Sequence, residues 1–354
     1  MASQKRIASK KRAAKNPRMK KRTVLEDITN RGIGDGSPSN MKRKRVMLRE
    51  TENGVEETRA CEVGSSDGSD GEEMEMDCGA CGSAVYQRLR ALELERKPSV
   101  PNYMEKIQED VTAYMREILV DWLVEVTEDY SMVSDTLYLT VSYIDIFLSL
   151  CSIKRTKLQL LGVSCMLVAS KYEEVCPLHV EKFCYVTDNT FTQDEVEDME
   201  RNVERLLNYE TSSPTAKTFL RIFMRAAQQD YEFSNIKFEV LASYLAELSL
   251  LDYECVCFLP SVVAASAIFL ARFTIRPVRC PWTLALEKCS GYQPSMLKEC
   301  VLAIHELQLG RRRTSAKALR QRYMDQKFEK VASLRSPPTI PSGYFKDILK
   351  SVKG

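Results

Sequence analysis

Met115–Val126, MREILVDWLVEV, is the stretch on which the fold turns. Eight of its twelve residues are apolar, yet Arg116, Glu117, Asp121 and Glu125 lie among them. A helix that is apolar nearly all round is a central, buried one, and charges inside it have to be paired. Met115, Ile118, Leu119 and Trp122 fall at i, i+3, i+4 and i+7, so they share one stripe. A stripe of that kind with a tryptophan in it either closes a core or offers a groove to another protein. Spacing alone favours the core, and that reading suits Val120, Leu123 and Val124 on the opposite face best.

Working outward, the pattern stays helical from Ser83 onward. Ser83–Arg96 reads as a short amphipathic helix stopped by Lys97 and Pro98, and the quoted stretch belongs to a helix over Glu109–Tyr130. Ser134 and Asp135 are good N-cap residues for the next helix, with Leu137, Val141, Ile144 and Leu148 on one face. Leu158–Tyr172 is apolar all round and predicts the centre of a bundle, and Gln193–Asp194 opens a charged amphipathic helix through Leu207. Pro214 reads as an N1 proline, Asn235–Leu251 as a further helix, and Pro260 as the start of a second all-round apolar one. That second run ends Phe269-Leu270-Ala271-Arg272-Phe273, an echo of Val168-Ala169-Ser170-Lys171-Tyr172 101 residues earlier. Strand signals are weak. The expected architecture is all-α: residues 83–212 and 213–336 form two modules, each around a small-residue central helix. A basic helical segment, Arg311–Ser336, is expected over the outside of the second module, and residues 337–354 form a C-terminal tail.

Ahead of the modules the composition changes. The chain has 354 residues and a formal net charge of +2, but residues 1–50 hold 16 basic and 4 acidic side chains, and residues 51–80 hold 10 acidic and one basic. No aromatic residue precedes Tyr86. Such a segment buries too little apolar surface to offset its ordering entropy, so residues 1–82 are expected to be a disordered regulatory tail. Its basic clusters, Lys10-Lys11-Arg12, Lys20-Lys21-Arg22 and Lys42-Arg43-Lys44-Arg45, predict recognition by nuclear import receptors and a nuclear location, with cytoplasm as a second one. The acidic stretch competes for those charges, so nucleic acid is not expected as a partner.

Twelve cysteines without a secretory signal point to reduced thiols. Cys78 and Cys81 form a lone CxxC, short of the four ligands a structural zinc needs, and His179 and His305 are isolated. No metal, cofactor or membrane span is expected. Without a nucleophile–base set or a metal constellation, an enzyme is the weakest reading.

The quoted stretch, followed by DTLYLTVSYID (135–145), KLQLLGVSCMLVASKYEE (157–174) and Val186-Thr187-Asp188-Asn189-Thr190-Phe191, resembles the cyclin box. The likeness runs from about Asn102 through the second module and is closest to A-type cyclins of the plant branch. It implies two tandem five-helix cyclin folds that bind and activate a cyclin-dependent kinase, controlling progression from S phase to G2/M, without catalysis of their own. It places the kinase-facing pair on Lys171 and Glu200, with Tyr172, Glu173 and the helix from Ser83 adding contact area. It assigns Met115, Ile118, Leu119, Trp122, Glu125, Leu158 and Gln159 to a groove for Arg-x-Leu substrates and inhibitors. In that groove Glu125 takes the arginine and Gln159 the peptide backbone.

Arg116 and Asp145 match the family's buried ion pair. Ile146 stands where cyclins usually carry arginine, and Glu117, in place of the commoner alanine, is expected to add negative charge beside the groove. In the tail, Arg22-Thr-Val-Leu25-Glu-Asp-Ile28-Thr29-Asn30 matches the destruction box, with Arg22, Leu25, Ile28 and Asn30 at its defining positions. That match implies degradation through the anaphase-promoting complex. A promoter-binding adapter of the transcription-factor-IIB kind is the alternative on the same paired fold, and it would need a zinc ribbon and a basic face. Ser37 and Ser336 precede prolines, and the sequence alone assigns phosphorylation to neither.

Overall fold

The structure, a computed structural model, describes residues 83–96, 102–229, 236–312 and 316–347. The destruction box, the basic clusters of the tail, Cys78, Cys81 and Ser37 lie outside the described residues. Among the described residues there is no strand, and no helix is long and apolar enough to cross a membrane.

Two short elements lead the fold: α1 (Ala84–Glu95) and α2 (Tyr103–Lys106). Five helices build the first module: α3 (Ala113–Asp129), α4 (Ser134–Leu150), α5 (Leu158–Glu173), α6 (Val180–Val186) and α7 (Gln193–Leu206). The second repeats the plan with α8 (Ala216–Gln229), α9 (Ile236–Leu251), α10 (Pro260–Ile275), α11 (Leu284–Ser290) and α12 (Pro294–Gln308). A last helix, α13 (Lys317–Tyr323), precedes three 3₁₀ turns.

The two small-residue helices, α5 and α10, sit at the centres of their modules. From Leu160 to Ser170 every residue of α5 is buried, and so is every residue of α10 from Val263 to Phe273. Small side chains are what permit the close approach. A Cβ on Gly162 would come within 2.8 Å of Leu119 Cδ1, so glycine lets α3 lie directly on α5.

Local signals decide the helix ends. Thr112 caps α3 by accepting the Met115 N–H, so the helix begins four residues later than the charge pattern of Glu109–Asp110 suggests. Asp110 is instead drawn to the Arg155 backbone N–H, 2.9 Å away. Helix α4 does begin at Ser134, but its cap comes from elsewhere: Glu174 accepts from the Val133 N–H and the Thr136 hydroxyl. Thr192 and Glu195 close a reciprocal capping box at α7. Pro214 is not at N1, because α8 starts at Ala216, whereas Pro260 and Pro294 do occupy the first turns of α10 and α12.

The two ends of the fold cross over. Helix α1 leads the first module in sequence but packs on the second. Tyr86 lies edge-on to Phe219 and donates to the Ser290 carbonyl at 2.7 Å, while Glu93 accepts from the Ser261 N–H at 2.9 Å. Conversely, α13 does not lie over the outside of the second module as its position suggests. Its N-terminus rests on Asp121 of α3, and Arg322 pairs with Glu128 of α3 and Glu247 of α9. Among the described residues of the expected basic helix only Lys317–Tyr323 is α-helical, and the others described are 3₁₀ turns and coil.

Candidate partner-binding site

Two surfaces of the first module gather the residues singled out above. The first lies where the end of α5 meets α7. Lys171 is in the last turn of α5 and Glu200 in the middle of α7, and they meet as an ion pair at 2.7 Å. The lysine side chain is half exposed and the carboxylate nearly covered, so the pair stands at the rim with one polar end facing solvent. Tyr172 beside it is exposed, and Val175 just beyond is 99% exposed, an apolar side chain left to water. Burial and the nearby Asp135 push the Glu173 carboxyl above its usual range. In the repeat the residue equivalent to Lys171, Arg272, is buried, so only the first module presents its cation here.

The second surface runs along α3. Ile118 is set apart from the main core and packs with Met115 and Trp122, both partly exposed, in a patch of i, i+3, i+7 spacing. Glu125, one turn beyond Trp122, and Gln159, at the start of α5, are also partly exposed. Three of the expected groove residues differ, Ile118 among them, since it is only 7% exposed. Leu119 and Leu158 are closed off from solvent, at 0% and 1% exposure. Leu119 is wedged against Gly162, which is why it forms floor and not wall. Glu117 is buried too, so it does not add an open charge beside the patch.

Arg116 and Asp145 meet as a buried bidentate pair, at 2.6 Å from Nε to Oδ1 and 2.7 Å from the second terminal nitrogen to Oδ2. Tyr103 donates its hydroxyl to the same Oδ1 at 2.7 Å, and Arg116 also donates to the Leu250 carbonyl at 2.8 Å. That carbonyl belongs to the C-terminal turn of α9, where a cation is favoured by the helix dipole. The pair therefore ties α3 and α4 to the second module as well as to each other. Burial works against the guanidinium's charge, but Asp145 outweighs it and raises the pKa further. Burial and Asp145 hold the Tyr103 phenol well above its ordinary value. Ile146 is partly buried against the core, an apolar packing role in place of an ionic one.

Sequence reasoning missed three long-range features: the Asp121 cap on α13, the Glu93–Ser261 anchor of α1, and the Arg116 bond to Leu250. Each joins residues more than 130 positions apart, beyond any local periodicity. Ser336 is buried, with its hydroxyl 3.1 Å from His305 Nε2. Among the described residues no cluster of His, Cys, Asp or Glu could hold a metal ion, and all nine cysteines are free thiols.

Two five-helix modules in tandem, each around a buried small-residue helix, define the class of fold. The chain matches the Cyclin, N-terminal domain over residues 84–212 and the Cyclin, C-terminal domain over residues 214–337, so it belongs to the cyclin family. Its family regulates cyclin-dependent kinases in the cell cycle and is not itself catalytic; the family match takes the place of the promoter-adapter alternative.

The similarity is to the plant A-type branch. The chain is 52% identical over 273 residues to cyclin-A3-1 of Oryza sativa subsp. japonica, covering 77% of this chain and 73% of that relative. It is 45% identical over 355 residues to cyclin-A3-4 of Arabidopsis thaliana, covering 98% and 95%. It is 47% identical over 340 residues to the G2/mitotic-specific cyclin C13-1 of Daucus carota, covering 94% and 98%. In fold it is similar to a viral cyclin from herpesvirus saimiri, with a TM-score of 0.55, 23% identity, and coverage of 62% of this chain and 95% of that one.

Proposed function

We propose that this chain binds a cyclin-dependent serine/threonine kinase through the α5–α7 rim and holds it in its active conformation. The observation that carries this reading is the Lys171–Glu200 pair, set at an exposed edge beside Tyr172 and Val175. A polar tip ringed by exposed apolar side chains suits an interface in which a few desolvated contacts dominate. Activation follows by population shift, because a partner that binds only the active conformation favours it by its differential affinity. The test mixes the purified chain with a plant cyclin-dependent kinase and follows phosphorylation of a histone-like substrate. Absence of activation at micromolar concentration overturns the reading.

The α3 patch is the substrate-recruiting part of the same proposal. Met115, Ile118 and Trp122 offer apolar contact for the leucine of an Arg-x-Leu peptide, Glu125 a partner for its arginine, and Gln159 an amide for its backbone. Leu119 and Leu158 support the patch from beneath. In the tail, Arg22 through Asn30 supports degradation through the anaphase-promoting complex, and the clusters around Lys10 and Lys42 support nuclear import. Together these fit a regulator acting between S phase and G2/M and then removed.

A further inference from the structure

We infer that the α3 patch is occupied in cis by this chain's own segment Arg45-Val46-Met47-Leu48, which an external Arg-x-Leu partner has to displace. The inference rests on the substrate-docking reading of Met115, Ile118 and Trp122 given above. Met115 and Trp122 are partly exposed over the buried Ile118, and they pack on the main core from its outer side; partly exposed apolar patches on a protein surface mark interaction sites. An occupant has to bring apolar side chains to that patch, and a basic residue beside them meets the partly exposed Glu125. Within residues 1–82 the pattern Arg-x-apolar-Leu occurs twice, at Arg22–Leu25 and at Arg45–Leu48. Methionine replaces leucine with little change of volume and adapts to irregular surfaces, so Met47-Leu48 presents two suitable groups.

Charge points the same way. Of the α3 carboxylates, Asp121 caps α13 and Glu128 pairs with Arg322 and Lys327, while Glu125 is partly exposed one turn from Trp122. The segment facing it is preceded directly by Lys42-Arg43-Lys44. Opposite potentials steer such an encounter and fix its register.

Tether length chooses between the two copies. Leu48 is separated from Ser83, where α1 is capped, by 34 residues. Extended chain spans at most about 3.3–3.6 Å per residue, or roughly 115 Å here, which exceeds the width of a two-module body. The Arg22 copy lies 23 residues farther out. Effective concentration falls with tether length beyond the span, so the nearer copy is favoured. Tethering at an effective concentration on the order of a millimolar keeps even a motif with an affinity of roughly 100 µM seated about nine-tenths of the time. Seating would also cover Lys42–Arg45, the cluster read above as an import signal.

The test measures binding of a fluorescein-labelled peptide of residues 40–50 to the full chain by anisotropy, alongside an unrelated Arg-x-Leu peptide. The full chain carrying Arg45→Ala with Leu48→Ala should bind both peptides on the order of tenfold more tightly than the unaltered chain, by release of the tethered competitor. Trp122→Ala should abolish binding of both; Glu125→Lys, whose side chain is partly exposed, serves the same purpose should Trp122→Ala unfold. Equal affinity of the unaltered chain and the double variant, with Trp122-dependent binding of the unrelated peptide, overturns the inference and leaves the groove reading standing. A difference that grows with protein concentration assigns the patch to a second copy and overturns the cis arrangement. If neither peptide binds, the groove reading fails and the inference falls with it.

Discussion

Asp121 accepts the backbone N–H of Ala318 with both of its carboxylate oxygens, each at 3.1 Å, and so joins α3 to the start of a helix 197 residues later. The same carboxylate also takes the N–H groups of Lys317 and Leu319, at 3.0 and 3.1 Å. Those are first-turn donors that no residue of α13 itself can satisfy. Asp121→Ala should cost about 2 kcal/mol, since a lost cap and a buried charge-assisted bond each contribute on the order of 1–2 kcal/mol. Asp121→Asn should fall between. Urea denaturation of the three proteins measures the difference, and equal midpoints would show that α13 is not held by this contact.

Arg116 carries a larger structural burden than a simple pair, because it also bonds the end of α9. Arg116→Met leaves Asp145 buried and unmatched and should cost about 3–5 kcal/mol. Combining it with Asp145→Leu should cost less than the two singles summed, by the coupling energy that a double-mutant cycle extracts. Additivity in the denaturation midpoints would mean that the two do not interact.

At the rim the energetics run the other way. Lys171 is half exposed, so its pair with Glu200 adds little to folding. Lys171→Ala with Glu200→Ala should leave the melting temperature nearly unchanged. If the rim meets a kinase, the same variant should lose about 2 kcal/mol or more of binding, roughly thirty-fold in Kd. Isothermal titration against the kinase separates the outcomes, and unchanged affinity would remove the rim from the interface.

Substrate recruitment should be separable from activation. Trp122→Ala ought to leave phosphorylation of a short peptide lacking a docking motif unaltered while raising KM at least several-fold for a substrate that carries Arg-x-Leu. A hot-spot aromatic contributes on the order of 2 kcal/mol or more. Equal loss on both substrates would return Trp122 to a structural role.

His305 gives a pH signature. Burial lowers its pKa below the usual histidine value near 6.5, and Nε2 donates to the Pro337 carbonyl at 2.9 Å. With a depressed folded pKa, the unfolded chain binds the proton more readily. Its stabilising contribution is therefore present above pH 6.5 and declines as pH falls below it, toward the folded pKa. His305→Gln should flatten the stability difference between pH 7.5 and pH 5.5 in urea titrations. A slope unchanged by the substitution would place the titrating group elsewhere.

What could be read from residues alone was what local pattern encodes. The apolar runs of α5 and α10 predict central helices because small residues with no polar face have nowhere else to go. MREILVDWLVEV predicts a helix with paired charges inside, and Arg116 with Asp145 is one such pair. A boundary failed where a local signal had a distant use: Glu109–Asp110 looks like a helix start, but Asp110 serves Arg155. The start of α4 at Ser134 was legible, though its cap comes from Glu174. The groove stripe was legible in spacing but not in depth. Nothing near Leu119 shows that Gly162 will admit α3 so closely that the leucine is sealed beneath it.

The crossing of the two ends has a consequence for synthesis. Because α13 closes on Asp121 and α1 rests on Ser261 and Ser290, neither half of the polypeptide can complete its packing alone. A ribosome has to release the polypeptide through Ser290 before α1 finds its seat, and through Leu319 before α3 gains its lid. A chain cut between the halves would yield two fragments with raw faces, each a ready target for quality control.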